Sequence, residues 1–271
     1  MIAQQPIKAT FLILMALLVQ SSVFAQTQDN CVDGLQCDSA WIGLSQSERE
    51  TVFDFAEDYK AFLHSARTEL SFVTEAIAFA EANGFSELTE NSTLNPGARV
   101  YEVNRDRTIS LMVIGERPLS EGFQVIGSHI DSPRLELKGR PLYADSEFAL
   151  FQTNYHGGIK YHQWTNLPLA LVGRIDRKDG TTVQVSIGLE DDEPIFMIPE
   201  LSPHVDRGRN SRTLGDFIEP EDLDPVVAHM PALQGGGDVI DQVLSHLAAE
   251  YDVTRADLVS AELSLVPAGK G

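Results

Sequence analysis

Cysteine is nearly absent from this chain: Cys31 and Cys37, close together near one end, are the two in 271 residues. Two thiols cannot build a Cys-based zinc site, and none is left elsewhere to act as a nucleophile, so thiol catalysis is not expected. Positive charge is scarce as well, with 20 Lys and Arg against 40 Asp and Glu and a formal net charge of −20. Nucleic acid and anionic membrane surfaces both require basic patches, and this balance argues against either as a partner. The sequence has no internal repeat and no low-complexity tract, which sets aside solenoids and disordered linkers. What remains, 43% hydrophobic residues with 20 Gly and 13 Pro, is the composition of a folded globular protein large enough for one big domain or two ordinary ones.

The first 25 residues differ from the rest. Lys8 precedes an apolar run over residues 11–19, and Val23 and Ala25 place small side chains where a secretory signal is cleaved. The run is short for a bilayer span, although an uncleaved anchor is the alternative. Residues 1–25 are therefore expected to be removed and residues 26–46 to form an N-terminal linker, leaving a periplasmic or secreted protein without membrane attachment. Export would oxidise Cys31 and Cys37 to a small disulfide.

From Ser47 the pattern is helical. Ser47 and Glu50 suggest a capping box, and Val52, Phe53, Phe55, Tyr59, Phe62 and Leu63 recur at three- and four-residue spacings expected of a core stripe. A second helix is predicted from near Thr68 to Asn83 and Gly84. Strand-like runs at 100–103 and 108–114 flank the polar tetrapeptide 104–107, the pattern of a hairpin. Residues 123–130 form a nearly unbroken apolar run, predicted to be a strand buried on both faces. Further along, residues 167–175 and 181–187 form another hairpin pattern, Asp238 caps a helix, and residues 257–266 alternate as a strand. The acidic run at 190–193 reads as a solvated turn.

The end of the 123–130 run carries the chemistry. His129 and Asp131 are separated by one residue, so on an extended chain they share a face, and Pro133 stops the strand beside them. Imidazole is the commonest zinc ligand, and a neighbouring carboxylate can fix its orientation. An H-x-D pair by itself is weakly specific, since a His beside an Asp also occurs for structural reasons at strand ends. His156 and His162 sit in a segment with paired glycines and several aromatics, and neither shows metal spacing.

Several motifs in order narrow the reading. Gly127-Ser-His-Ile-Asp-Ser-Pro-Arg-Leu135, Pro141-Leu-Tyr143, Tyr155-His-Gly-Gly-Ile-Lys-Tyr-His-Gln-Trp164, Leu167-Pro-Leu-Ala-Leu-Val-Gly173 and Ala261-Glu-Leu-Ser-Leu-Val-Pro-Ala-Gly269 resemble the aspartyl aminopeptidase family, which includes the vacuolar aminopeptidases. The resemblance covers most of the chain from about residue 50. It implies an α/β fold, with a three-layer α/β catalytic domain into which a β-rich dimerisation domain is inserted. Residues 47–133 would be the first part of the catalytic domain, 134–256 the insert, and 257–271 the return to the catalytic sheet. The implied activity is zinc-dependent removal of acidic or neutral N-terminal residues from peptide substrates by a homo-oligomer assembled through the insert. His129 would bind one of two zinc ions, Asp131 would orient the site, and His162 would reach a neighbouring subunit's active site to hold the tetrahedral intermediate.

One departure tempers this. The family's bridging carboxylate, adjacent Glu pair, further carboxylate ligand and C-terminal His would all fall after Gly271, so residues 1–271 are expected to be an incomplete and inactive fragment. A non-catalytic exported binding or assembly module, or another dizinc hydrolase sharing H-x-D, are the alternatives.

Overall fold

The computed structural model describes residues 39–232 and 235–270. The signal and disulfide expectations, including Cys31 and Cys37, lie outside the described residues. The chain divides into two units, 1–58 and 59–271. In the first, Trp41 packs against Phe53 with ring centroids 5.8 Å apart.

Helix α1 (Gln46–Ser65) runs across the division. Its cap is set two residues earlier than the sequence suggests: the Glu48 carboxylate accepts from the Ser45 backbone N–H and hydroxyl, both at 2.8 Å. Those bonds hold the Glu48 carboxyl below the usual carboxylate range. None of the α1 residues is buried, and Phe53 and Phe55 are 61% and 73% exposed, so the expected core stripe is not buried among the described residues.

In the second unit, α2 (Glu69–Ala82) begins at a Thr68–Ser71 capping box and ends at Asn83, as the sequence predicts, with Val73, Ala76 and Ala80 buried. Phe72 meets Phe62 edge to face at 5.3 Å. Next come β1 (Ser86–Glu87), β2 (Arg99–Asn104) and β3 (Thr108–Val113), a three-stranded sheet in which β2 and β3 form the predicted hairpin. Three residues, 105–107, connect them; Arg105 and Asp106 both have positive φ, and the Arg107 N–H donates to the Asn104 carbonyl at 3.1 Å to close the turn.

Residues 123–130 correct the sequence reading. The backbone there forms no strand, and Phe123, Val125 and Ile126 are 75%, 75% and 98% exposed. β3 pairs with β2 alone among the described strands and so keeps a free edge, but residues 123–130 do not pair with it; apolar composition by itself does not set strand pairing.

The rest of the unit is built on β4 (Arg134–Asp145), β5 (Phe148–His156), β6 (Leu169–Asp176), β7 (Thr182–Ile187) and β8 (Val226–Ala228), followed by α3 (Val239–Tyr251) and β9 (Ala261–Pro267). The strands form one six-stranded antiparallel sheet in the order β7-β6-β9-β4-β5-β8. The β6–β7 hairpin and the Asp238 cap of α3 follow the sequence prediction. Strand β9 falls in the second part of the run predicted as a strand, after a 3-10 turn at Asp257–Ser260, and pairs with β4 and β6 in the middle of the six-stranded sheet. Leu135, Phe151, Leu169, Leu171, Ile175 and Leu265 from the sheet are fully buried in one cluster with Val239 and Leu247 of α3.

The fold is thus mixed α/β, with its second unit dominated by antiparallel pairing. Close approach between β6 and β9 is possible because Gly173 carries no side chain: a Cβ there would lie 2.1 Å from the Glu262 carbonyl oxygen, at φ +139. Gly173→Ala is expected to cost about 2–4 kcal/mol in chemical denaturation. Gly180→Ala, also at positive φ but in open space, is expected to cost about 1 kcal/mol.

Candidate functional site

Arg134 opens β4, directly opposite His156 at the end of β5, and Glu136 lies two residues on, so the three side chains share one face of the sheet. Asp131 comes from the segment just before β4, and Glu69 from the first turn of α2. The Arg134 side chain, 3% exposed, is the centre of the group. Its Nη2 donates to Glu69 Oε1 and Glu136 Oε1, and its Nη1 to Asp131 Oδ1, each at 2.7 Å. Nη1 also donates to the Ser132 carbonyl at 3.0 Å.

His156 closes the ring of contacts. Its Nε2 lies 3.0 Å from Asp131 Oδ1 and its Nδ1 3.1 Å from Glu136 Oε1, a pairing in which both nitrogens donate when the ring is protonated. Burial pushes the Asp131 carboxyl up, but hydrogen bonds from Arg134 and His156 outweigh it, and the carboxyl titrates below its ordinary range. For Arg134 burial acts downward, and the surrounding carboxylates more than reverse it.

The segment carrying these residues is tied down from behind. Ser132 Oγ donates to the Arg67 carbonyl at 3.2 Å, while the Arg67 guanidinium donates to the carbonyls of Pro267 at 3.1 Å and Gly269 at 2.7 Å. Residues just before α2, the approach to β4 and the end of β9 are thereby joined through one residue, its carbonyl holding the approach to β4 and its guanidinium the end of β9. Burial lowers the Arg67 pKa.

Of the sequence-predicted site residues, His129 and Asp131 are brought near each other, with Nε2 and Oδ2 3.8 Å apart. The His129 side chain is 76% exposed, whereas Asp131 is largely enclosed by its contacts with Arg134 and His156. His162 lies in the 3-10 turn Tyr161–Gln163, half-buried, with its carbonyl accepting from Thr165 Oγ1 at 3.1 Å. Its ring forms no hydrogen bond or ion pair with His129 or Asp131 among the described residues.

Glu69, Asp131 and His156 each present a ligand atom within 4.8 Å of the others, enough groups for a cation on number alone. The charge arrangement does not fit one. The Glu69 and Asp131 oxygens accept from the Arg134 guanidinium, and a buried cation in their midst opposes a second. These residues fit an ion-pair network, and His129 stands outside it with one open imidazole. Sequence reasoning passed over Arg134, Glu136 and His156 as functional residues. Their signal was the alternation of Arg134 and Glu136 on one face after Pro133; Glu69 had none, being 65 residues from Arg134.

Arg134→Ala is expected to destabilise the chain by about 3–5 kcal/mol, because it leaves three carboxylates without their shared cation. The depressed Asp131 pKa gives the linkage its sign. A carboxyl that titrates lower in the folded state stabilises it above the unfolded value of about 3.9, and the contribution is lost as pH falls through the folded value. The stability difference between Asp131→Asn and the parent chain, from urea unfolding, should therefore be larger at neutral pH than at about pH 3.

Comparison with known proteins supplies the context for this geometry. The family model described as aminopeptidase I zinc metalloprotease (M18) matches residues 62–271. The probable M18 family aminopeptidase 1 of Clostridium acetobutylicum is 38% identical over 238 residues, covering 86% of this chain and 51% of that protein. A crystal structure of an M18 aminopeptidase from Thermotoga maritima superposes with a TM-score of 0.78 at 33% identity, covering 86% of this chain and 51% of the other. The mApe1 dodecamer of S. cerevisiae, 20% identical with a TM-score of 0.59, covers 81% of this chain and 49% of its own and shares the fold. The chain spans about half the length of the curated relatives it matches.

Proposed function

Because the chain belongs to the M18 family of aminopeptidase I zinc metalloproteases, we propose that it contributes to a zinc-dependent aminopeptidase that removes acidic or neutral N-terminal residues from peptides. The observation that carries this reading is the match over residues 62–271, which includes His129, Asp131 and His162. Two zinc ions, when bound, would polarise the scissile carbonyl and supply an activated water. His129 is the residue of this chain offered to one of them. Asp131, held by Arg134 and His156, orients the His129 ring, and so acts on the site without needing to bind the metal.

His162 has a different part. Its ring is free of local partners among the described residues, so it is available to donate to a developing oxyanion in the active site of a neighbouring subunit. This requires a homo-oligomer assembled through an inserted domain at residues 134–256, and the dodecameric relative supports such assembly by likeness of fold. A secretory signal over residues 1–25 would direct the protein to the periplasm or outside the cell. Among the described residues no helix is long and apolar enough to cross a membrane.

The described residues do not complete a two-zinc site: Asp131, the carboxylate beside His129, is engaged by Arg134. Purified residues 1–271 are accordingly expected to hold fewer than two zinc ions per chain by atomic emission and to leave aminoacyl nitroanilides intact. Two ions with turnover would defeat the reading of an incomplete site.

The natural product of the coding frame containing these residues tests the activity itself. It should release N-terminal amino acids, lose that activity with a chelator, and lose both zinc and activity in His129→Ala. His162→Ala should lower kcat by about a hundredfold while retaining zinc; unchanged turnover would remove His162 from the site.

A further inference from the structure

The far end of β9 holds a second chemical feature. From Leu265, which pairs with Leu135, to Ser260 is a run of five residues, roughly 16 Å along an extended strand. There the register shift of β4 between Leu137 and Leu142, the β6–β7 turn and the 3-10 turn Asp257–Ser260 enclose a cavity of about 920 Å³. Four of the chain's 20 basic residues, Arg140, Arg177, Lys178 and Arg255, line it. In a protein with net charge −20 that concentration is not a sample of the average surface.

The lining acids do not cancel it. Asp257 accepts from the Thr254 backbone N–H at 2.9 Å and from the Thr254 hydroxyl, and those two bonds, with added help from the charges of Arg177 and Lys178, hold its carboxyl below the ordinary range. Asp176 accepts from Thr182 Oγ1 at 2.9 Å and faces Arg174 Nε at 3.6 Å. Both are committed to local turns.

The cations are spent very differently. Arg177 is anchored: its Nη2 donates to the carbonyls of Tyr251 and Asp252, both at 2.7 Å, at the end of α3. Its Nε is buried without a hydrogen-bond partner among the described residues. Arg255 reaches the Leu142 carbonyl at 3.5 Å, at the limit of a hydrogen bond. Arg140 and Lys178 form no hydrogen bond or salt bridge among the described residues. Arg177 Nη2 also lies 3.4 Å from Asp252 Oδ2, and Asp257 offsets part of the repulsion among the gathered cations, which leaves four lining cations against two lining acids.

We propose that this cavity binds a small organic polyanion, whose phosphate or clustered carboxylates are gripped by Arg140, Lys178 and Arg255 while its apolar body lies on Pro141 and Val259. Guanidinium forks match both oxyanions in two-point geometry, and the volume falls in the range of small-molecule sites. The proposal is independent of the peptidase reading, because neither His129 nor the Arg134 network takes part.

Isothermal titration of the full chain at fixed ionic strength decides it, with AMP, citrate and inorganic phosphate as probes and adenosine as the uncharged control. Saturable binding of AMP or citrate, with none of adenosine, is the expected result, and which of the two binds identifies phosphate or carboxylate as the group recognised. The double variant Arg140→Ala/Arg255→Ala should weaken binding about a hundredfold, near tenfold for each charge-assisted contact. Lys178→Gln provides an independent loss of about tenfold, and Arg117→Ala, exposed elsewhere, should change nothing. Absence of saturable binding by all three anions would overturn the proposal, as would binding that survives both sets of variants with the circular dichroism of the parent. Phosphate binding as tightly as AMP and citrate would overturn the role of the apolar wall.

Discussion

A guanidinium taken out of water must be surrounded by acceptors, and the second unit is arranged around one such group. Arg134 is 3% exposed, and three carboxylates and a carbonyl meet it from α2, the approach to β4 and β4 itself. His156 extends the ring to β5 by contacting two of those carboxylates. Pairing of this kind returns little net stability, because desolvation consumes most of the Coulomb gain; its effect is that the alternatives are worse. An arrangement that displaced Glu69 or Asp131 would leave a buried charge uncompensated. Four chain segments are therefore held in one mutual placement.

That constraint fixes the geometry of the H-x-D pair. Asp131 cannot turn freely toward His129, because Oδ1 is taken by Arg134 and His156 while Oδ2 faces the His129 ring at 3.8 Å. One oxygen belongs to the scaffold and the other is left for the imidazole. At 3.8 Å that second oxygen is an electrostatic neighbour of the ring and not a hydrogen-bond partner. The Arg67 contacts serve the same end from the other side, by fixing Ser132 next to Asp131.

The parts of the fold that sequence made legible are those whose signals are local. The Thr68 and Asp238 caps, the turn at Arg105 and Asp106 and the β6–β7 hairpin each depend on residues within a few positions of one another, and each stands where the pattern put it. Pairing partners are a different matter. Residues 123–130 and β9 are similarly apolar, yet the first lies exposed and unpaired while the second sits between β4 and β6. Composition states that a run can be buried; pairing with the rest of the sheet decides whether it is. The candidate site divides along the same line. His129 and Asp131 could be read together because one residue separates them, whereas the carboxylate of Glu69 reaches Arg134 from another element entirely.

Arginine appears in this structure in two opposite roles, and counting partners separates them. Arg134 has an acceptor for each nitrogen that points inward, Arg67 caps three backbone carbonyls, and Arg174 pairs with Asp106 at 2.8 Å. These side chains are structural because most of their donors, or in Arg174 its Nη1, are held by acceptors within the fold. Arg140 and Lys178, among the described residues, have none of their donors used, although the chain carries acids in twofold excess. In so acidic a protein a cation finds a carboxylate easily, and long-range attraction would favour that pairing over solvent. Cations without a hydrogen bond or salt bridge along one concave wall are therefore disposed for charge that arrives from outside. The same excess of acid opposes an anion at a distance, but over lengths beyond about 8 Å at physiological salt that repulsion is screened. What an anion meets at the cavity is then decided by the side chains lining it.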